Sequence, residues 1–133
     1  MIVADASALA TFFLREEGWE RLTPYMRLVV TLDMAVKEFY NAVWKAVKLH
    51  KFIGVSEAER ILKLFRRYLA KNIVLRNELE YVDEAFRIAV EESVTVYDAL
   101  YLVLALREKA ALLSLDKRQR SIALRRGIEV LPP

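Results

Sequence analysis

Two patterns of apolar residues alternate along this chain. Short runs rich in β-branched and aliphatic residues read as strands: Ile2-Val3-Ala4, Leu28 to Thr31, Ile73-Val74-Leu75, Ala111 to Leu115 and Ile128 to Leu131. Between them lie longer stretches with helical period. They run from Ala6 to about Leu14, Trp19 to Arg27, Met34 to Lys51, Ser56 to about Lys71, Asn77 or Glu78 to Glu91, Val96 to Lys109 and Lys117 to Arg126. Their ends carry matching punctuation. Asp33 and Thr95 stand at N-cap positions, Gly18 and Pro24 bracket the second helix, and Gly54 and Gly127 close the third and the last. Strands alternating with helices of this length predict an α/β fold, a parallel or mostly parallel central sheet with right-handed crossovers and helices on both faces. No repeat, low-complexity segment or linker interrupts the pattern, so residues 1–133 read as a single domain.

Where the acids fall changes the picture. The first strand ends at once in Asp5, and the fourth ends in Asp116. Ligands of open α/β sheets bind outside the carboxyl ends of the strands, so two acids there are candidates for chemistry. Each also suits an N-cap, with Ser7 and Ser114 placed for local backbone hydrogen bonds. On the helix from Met34, an apolar arc of Ala35, Val36, Phe39, Ala42, Val43, Ala46 and Val47 faces a basic arc of Lys37, Asn41, Lys45 and Lys48. Glu38 falls on the seam and is the only acid from Met34 through Val55, with Asn41 one turn on. An exposed ion pair with Lys37 or Lys45 is the competing account of Glu38. The helix from Val96 is apolar on every face and is expected to be buried all round, yet it carries Asp98, the only charge between Glu92 and Arg107. A lone buried carboxylate is costly unless paired or bound to a metal. The helix dipole favours an anion in this first turn and accounts for part of its tolerance.

Composition narrows the chemistry further. Hydrophobic residues make up 56% and charged residues 29% of the chain, which implies a dense core inside a charged shell. A net charge of +3 and a pI of about 9.2 permit an anionic partner such as nucleic acid without requiring one. There is no cysteine, which removes disulfides and thiolate metal sites. No run approaches the ~20 apolar residues of a membrane span, and the N-terminus lacks a signal-peptide pattern. A cytoplasmic protein is expected. Scarce amide side chains beside abundant Lys, Arg and Glu lean toward a thermophilic source. Neither a GxGxxG after the first strand nor a GxxxxGK[ST] is present, which argues against dinucleotide and P-loop sites. His50 is the only histidine and has no metal-spaced partner, so it reads as structural or solvent-exposed, and no Ser-His-Asp triad forms. Carboxylates remain. Four that converge repel one another and are stable only with a cation among them. Oxygen-only ligands select hard ions, Mg²⁺ or Mn²⁺, whose usual work is phosphoryl chemistry.

Four short pieces then carry a resemblance: Ile2-Val3-Ala4-Asp5-Ala6-Ser7, Glu38-Phe39-Tyr40-Asn41-Ala42, Tyr97-Asp98-Ala99-Leu100-Tyr101 and Leu113-Ser114-Leu115-Asp116. In order, spacing and total length the chain resembles the PIN-domain nucleases, in particular the VapC-like toxins of prokaryotic toxin–antitoxin pairs. The resemblance implies a Rossmann-like three-layer sandwich that gathers Asp5, Glu38, Asp98 and Asp116 in one cleft. It implies metal-dependent hydrolysis of an RNA phosphodiester with Mg²⁺ or Mn²⁺, by water attack with a 3′-hydroxyl leaving group. Asp5 and Asp98 are expected as direct metal ligands. Glu38 and Asp116 are expected to bind through water, hold a second ion or help deprotonate the attacking water. Ser7, Asn41 and Ser114 match small polar positions beside the acids, and Ser114 stands where threonine is also common. Lys117, Arg118 and Arg120, with Arg125 and Arg126 further on, are candidates to guide RNA, against the alternative of a solvated helix face. The resemblance also implies a homodimer and a cognate antitoxin whose C-terminal segment lies in the active-site groove. The apolar stripe Ile61, Leu62, Leu64, Phe65, Tyr68 and Leu69 usually meets the core but also suits a dimer surface, as do Trp19, Tyr25 and Trp44. Two other functions fit less well. A receiver-type phosphoacceptor wants paired acids after the first strand, where Asp5 stands alone, and an Asp after a middle strand, where Arg76 stands. A DxDx phosphatase wants an Asp where Ser7 stands. A non-catalytic RNA- or protein-binding module of the same fold is the principal alternative.

Overall fold

A computed structural model describes residues Met1–Pro133. Five strands, β1 (Ile2–Ala4), β2 (Val29–Leu32), β3 (Ile73–Arg76), β4 (Ala111–Leu113) and β5 (Val130–Leu131), form one sheet in the order β3-β2-β1-β4-β5. Every neighbouring pair is parallel. Val3 of β1 lies opposite both Val30 of β2 and Leu112 of β4, so the centre of the sheet is built from apolar side chains.

Seven helices surround the sheet: α1 (Ala6–Leu14), α2 (Trp19–Leu22), α3 (Met34–Lys48), α4 (Val55–Asn72), α5 (Val82–Glu92), α6 (Val96–Glu108) and α7 (Lys117–Arg125). From β1 the chain steps one way along the sheet to β2 and β3, then returns past its starting point to β4 and β5. Right-handed crossovers therefore put α1, α3 and α4 on one face and α5, α6 and α7 on the other. The packing agrees, since α1, α3 and α4 contact one another and α5 packs along α6. The result is an α/β three-layer sandwich. Its reversal of direction falls between β1 and β4, where the first turns after the two strands part and leave a crevice at their carboxyl ends.

The core follows from the patterns. From Ala99 to Ala105 the α6 helix is buried without interruption, against β1, β2 and β4. On the other face an aromatic cluster joins α1, α3 and α4, with Phe39 stacked on Phe65 at 3.9 Å and Phe13 edge-on to both. The α4 stripe is split: Phe65 is buried, Ile61, Leu62, Tyr68 and Leu69 pack against the core, and Leu64 stays exposed. His50 is exposed and stacks on Phe52, as its isolation in the sequence suggests.

Several expected boundaries move. Pro24, which has no N–H, converts the end of the second helix into a 3-10 turn at Thr23–Tyr25. The third helix stops at Lys48 rather than Lys51, and Lys51 itself takes a left-handed backbone. A 3-10 turn, Glu78–Glu80, precedes α5, which starts only at Val82. The fourth strand ends at Leu113 rather than Leu115; the Ser114 N–H still donates to the Leu131 carbonyl of β5, and the chain then leaves the sheet for the Asp116 cap of α7. Asp33 does not cap α3 with its side chain, because its own backbone is already helical; its Oδ1 accepts from the Glu78 N–H at 3.2 Å instead. No helix is long and apolar enough to cross a membrane.

Candidate functional site

Asp5 and Asp116 are placed by one local device used twice. Each residue follows its strand in extended conformation and caps the next helix. Asp5 Oδ1 accepts from the Ser7 hydroxyl at 2.7 Å and the Ala8 N–H at 2.8 Å. Asp116 Oδ1 accepts from the Gln119 N–H at 2.8 Å, and the Asp116 N–H donates to the Ser114 hydroxyl at 3.2 Å. Capping and chemistry are therefore not alternatives here. The cap fixes one carboxylate oxygen and aims the group across the carboxyl end of the sheet. Asp5 is only 5% exposed, and its N–H still bonds the Leu113 carbonyl, tying it to β4.

The helical layers bring the other two acids. Asp98 sits in the first turn of α6 behind the Thr95 cap, whose hydroxyl accepts from the Asp98 N–H. The expectation of a helix buried on every side fails for this first turn. Tyr97 and Asp98 are exposed, because α6 enters the core only at Ala99 and its start projects past the sheet edge. Glu38, on α3, is half-buried and makes no ion pair with Lys37 or Lys45. Its Oε1 instead accepts from the Tyr101 hydroxyl of α6 at 2.7 Å.

All four acids line one small pocket of about 130 Å³, together with Ala6, Ser7, Tyr101 and Gln119. An adjoining pocket of about 270 Å³ shares Asp98, Asp116 and Gln119 and adds Ser93, Val94, Thr95 and Arg118. Burial raises the Asp5 carboxyl above its ordinary range, with the Asp116 charge adding to it, while hydrogen bonds from Ser114, Ala8 and Ser7 pull the other way. Burial likewise raises Glu38, opposed by the Tyr101 hydroxyl and reinforced by Asp98, Asp5 and Glu78. Asp98, although exposed overall, is raised by the partial desolvation of its carboxyl and by Asp116, and lowered by Thr95 and Arg118. Burial also pushes the Tyr101 phenol strongly upward, with the Glu38 charge next, so it remains a donor.

These carboxylates make an oxygen-only donor set whose mutual repulsion is only partly offset by hydrogen bonds and by Arg118, which in kind fits a hard divalent cation. As the side chains stand, no group of three His, Asp or Glu is close enough together to hold a metal ion. Holding one requires the carboxylates to draw inward.

The remaining candidates divide. Ser7 and Ser114 are at the acids, the latter fully buried. Asn41 is not: it lines a separate groove between α3 and α4 with Val36, Lys37, Tyr40, Trp44, Arg66 and Leu69, because one helical turn carries it away from the sheet edge. Lys117 is exposed at the start of α7. Arg118 stands over the second pocket, with its guanidinium bound to the Glu92 and Ser93 carbonyls that end α5. Arg120 is committed to structure, since it donates to the carbonyls of Ser114 and Pro132. Arg125 and Arg126 are paired with Glu91 and Glu92. Three site residues escape the charge pattern. Tyr101 lies one turn beyond Asp98 on the same side of α6, a spacing that points to it. Gln119 is the chain's only glutamine and is 4% exposed; its side-chain amide donates to the Asp98 carbonyl at 2.9 Å. Thr31, 1% exposed, donates to the Ala4 carbonyl at 2.7 Å, and only burial in three dimensions reveals it.

Residues 2–124 match the family model described as PIN domain. The chain belongs to the PIN domain family. Among curated relatives, this PIN domain is similar to Ribonuclease VapC3 of Pyrobaculum aerophilum, at 32% identity over 120 residues, covering 88% of this chain and 90% of the relative. It is also similar to Exonuclease VapC9 of the same organism, at 30% identity over 115 residues, covering 86% of this chain and 80% of the relative. The VapC-like resemblance carried by the four motifs thus holds. Among solved structures, PAE2754 from Pyrobaculum aerophilum shares the fold, with a TM-score of 0.72 at 24% identity over 98% of this chain and 83% of that one.

Proposed function

We propose that this PIN domain is a metal-dependent endoribonuclease and the toxin of a VapBC-type toxin–antitoxin pair, working in the cytoplasm as a homodimer. One observation carries the reading. Four carboxylates from segments far apart in sequence line a single pocket at the point where the sheet order reverses. The name of the relative Ribonuclease VapC3 supports RNA as the substrate.

Asp5 and Asp98 are the first choice to hold Mg²⁺ or Mn²⁺ directly, with Glu38 and Asp116 completing the set or acting through water. When bound, such an ion neutralises the acids and polarises a phosphodiester oxygen. The chain's own residues do the rest. Ser7, the Ala8 N–H and the Gln119 N–H hold the two strand-end carboxylates. Glu38 or Asp116 accepts a proton from the attacking water. Lys117 and Arg118 draw the phosphate backbone toward the cleft by charge alone, which makes binding salt-dependent. The leaving group is the 3′-hydroxyl. A cognate antitoxin inhibits the toxin by covering this pocket.

The name Exonuclease VapC9 favours a second mode, trimming from an end. Circular RNA separates the two, since only an endonuclease opens it. The test is cleavage of linear and circular RNA with Mg²⁺, with Mn²⁺ and with EDTA, beside Asp98→Asn. The proposal expects metal-dependent opening of the circle and a loss of at least about 100-fold in the variant, the scale of one lost transition-state contact. Cleavage of linear RNA only establishes the exonuclease. RNA binding without cleavage under any metal establishes the non-catalytic module.

A further inference from the structure

Tyr101 belongs to α6 and Glu38 to α3, so their 2.7 Å hydrogen bond joins the two helical layers across the carboxyl edge of the sheet. Packing alone does not call for it. Tyr101 is 2% exposed among Leu, Val and Ala, where phenylalanine would bury the same ring without needing a partner. The hydroxyl lies beside Thr31, and the Thr31 hydroxyl in turn donates to the Ala4 carbonyl, immediately before Asp5. A line of buried polar groups thus runs from the end of β1 through β2 and α6 to Glu38. No other side chain hydrogen-bonds the Glu38 carboxylate, and Oε2 has no protein partner.

We infer that Tyr101 is a positioning residue: its hydroxyl fixes Glu38 Oε1 against the sheet edge and leaves Oε2 as the oxygen offered to a divalent cation. The inference rests on the metal-nuclease reading but concerns a residue outside the four acids. Groups that orient a metal ligand from behind fix its rotamer, and their removal typically weakens metal binding by about 10- to 100-fold. Tyr101→Phe removes one oxygen and keeps the ring, so the effect reads on Glu38 rather than on packing.

The test is a calorimetric titration of the full chain with Mn²⁺ without RNA, using wild type, Tyr101→Phe, Glu38→Gln and the double variant. Tyr97→Phe, on the exposed start of α6, is the control. Tyr101→Phe is expected to weaken Mn²⁺ binding by at least about tenfold, with a melting temperature close to wild type. At saturating Mn²⁺, kcat for RNA falls while KM for RNA is unchanged. In the Glu38→Gln background the same change has no further effect on Mn²⁺ affinity. Wild-type affinity in Tyr101→Phe, or an equal loss with and without Glu38, overturns the inference while leaving the nuclease reading intact. Should Tyr101→Phe melt too low to titrate at room temperature, the titration is run below its transition, and an unchanged Mn²⁺ affinity there overturns the inference. A wild-type chain that neither binds Mn²⁺ nor cleaves RNA removes the metal reading and the inference together.

Discussion

Glu38 shows how a residue's role comes from conflict between its surroundings. Burial is the largest influence on its carboxyl, and Asp98, Asp5 and Glu78 add repulsion, so protonation is favoured relative to a free carboxyl; only the Tyr101 hydroxyl opposes this. The consequence for stability has a definite sign. A carboxyl whose folded pKa lies above its unfolded value binds the proton more tightly when folded. Stability then falls as pH rises from the ordinary carboxylate value through the raised one, and stays lower above it. Asp5 and Asp98 are shifted the same way. Glu38→Gln removes the charge but keeps an Oε1 acceptor for Tyr101. In EDTA the variant is expected to melt above wild type near neutral pH. The difference should vanish below about pH 4, where the carboxyl is protonated in both folded and unfolded states. Thermal unfolding across that range checks it. A variant less stable than wild type at neutral pH would mean that the protein already compensates the Glu38 charge.

Within α7, side chains free to meet a substrate stand apart from those that hold the fold. The sequence presents Lys117, Arg118 and Arg120 as one basic group. The structure gives Arg120 to the Ser114 and Pro132 carbonyls, joining the turn after β4 to the chain that follows β5. Arg120→Ala leaves two carbonyls without their charged donor and is expected to cost about 1.5–3 kcal/mol, read as a lower melting temperature. Lys117→Ala should leave melting unchanged and raise KM for RNA, more at low salt than at high. A comparable fall in melting temperature for both variants would refute the division. The same element shows what was legible beforehand. Asp116 could be found because an apolar run ends in it, and Asp5 likewise. Glu38 and Asp98 stood out as acids on stretches that otherwise avoid them. Asp98 departs from the burial its helix predicts, because periodicity describes a helix as though all its turns were equally enclosed, and the first turn of α6 projects beyond the sheet. Asn41, at i+3 from Glu38 on α3, is close to it along the helix and yet faces a different groove. Tyr101, Gln119 and Thr31 are neutral side chains in or beside apolar runs. Their partners lie 63, 21 and 27 residues away, so only the one-turn spacing of Tyr101 from Asp98 gives a local hint of any of them.

For the whole molecule, the site is an outcome of topology. Because β1 and β4 are neighbours and the chain leaves them toward opposite faces, the first turns of α1 and α7 diverge and leave space above the sheet. Into that space α3 brings an acid from one layer and α6 from the other. Three of these acids are held in the fold at a cost to their ionised forms, so the folded chain is poised to gain from a cation that the unfolded chain binds poorly. Mass action sets the size of that gain: at a free concentration about 100 times the dissociation constant, binding adds about 2.7 kcal/mol. For a chain of 133 residues this corresponds to a melting temperature higher by about 10 °C. Mn²⁺ or Mg²⁺ at neutral pH is expected to raise melting on this scale, and the rise should fade toward about pH 4 as protons displace the ion. Asp5→Asn keeps an acceptor for the Ala8 cap yet removes a ligand, so it should lose most of the metal-induced rise without losing the helix. A rise that persists in Asp5→Asn would place the cation elsewhere on the molecule. Its absence in wild type would leave the four converging acids without the ion that their arrangement calls for, and the binding-module reading would then take precedence.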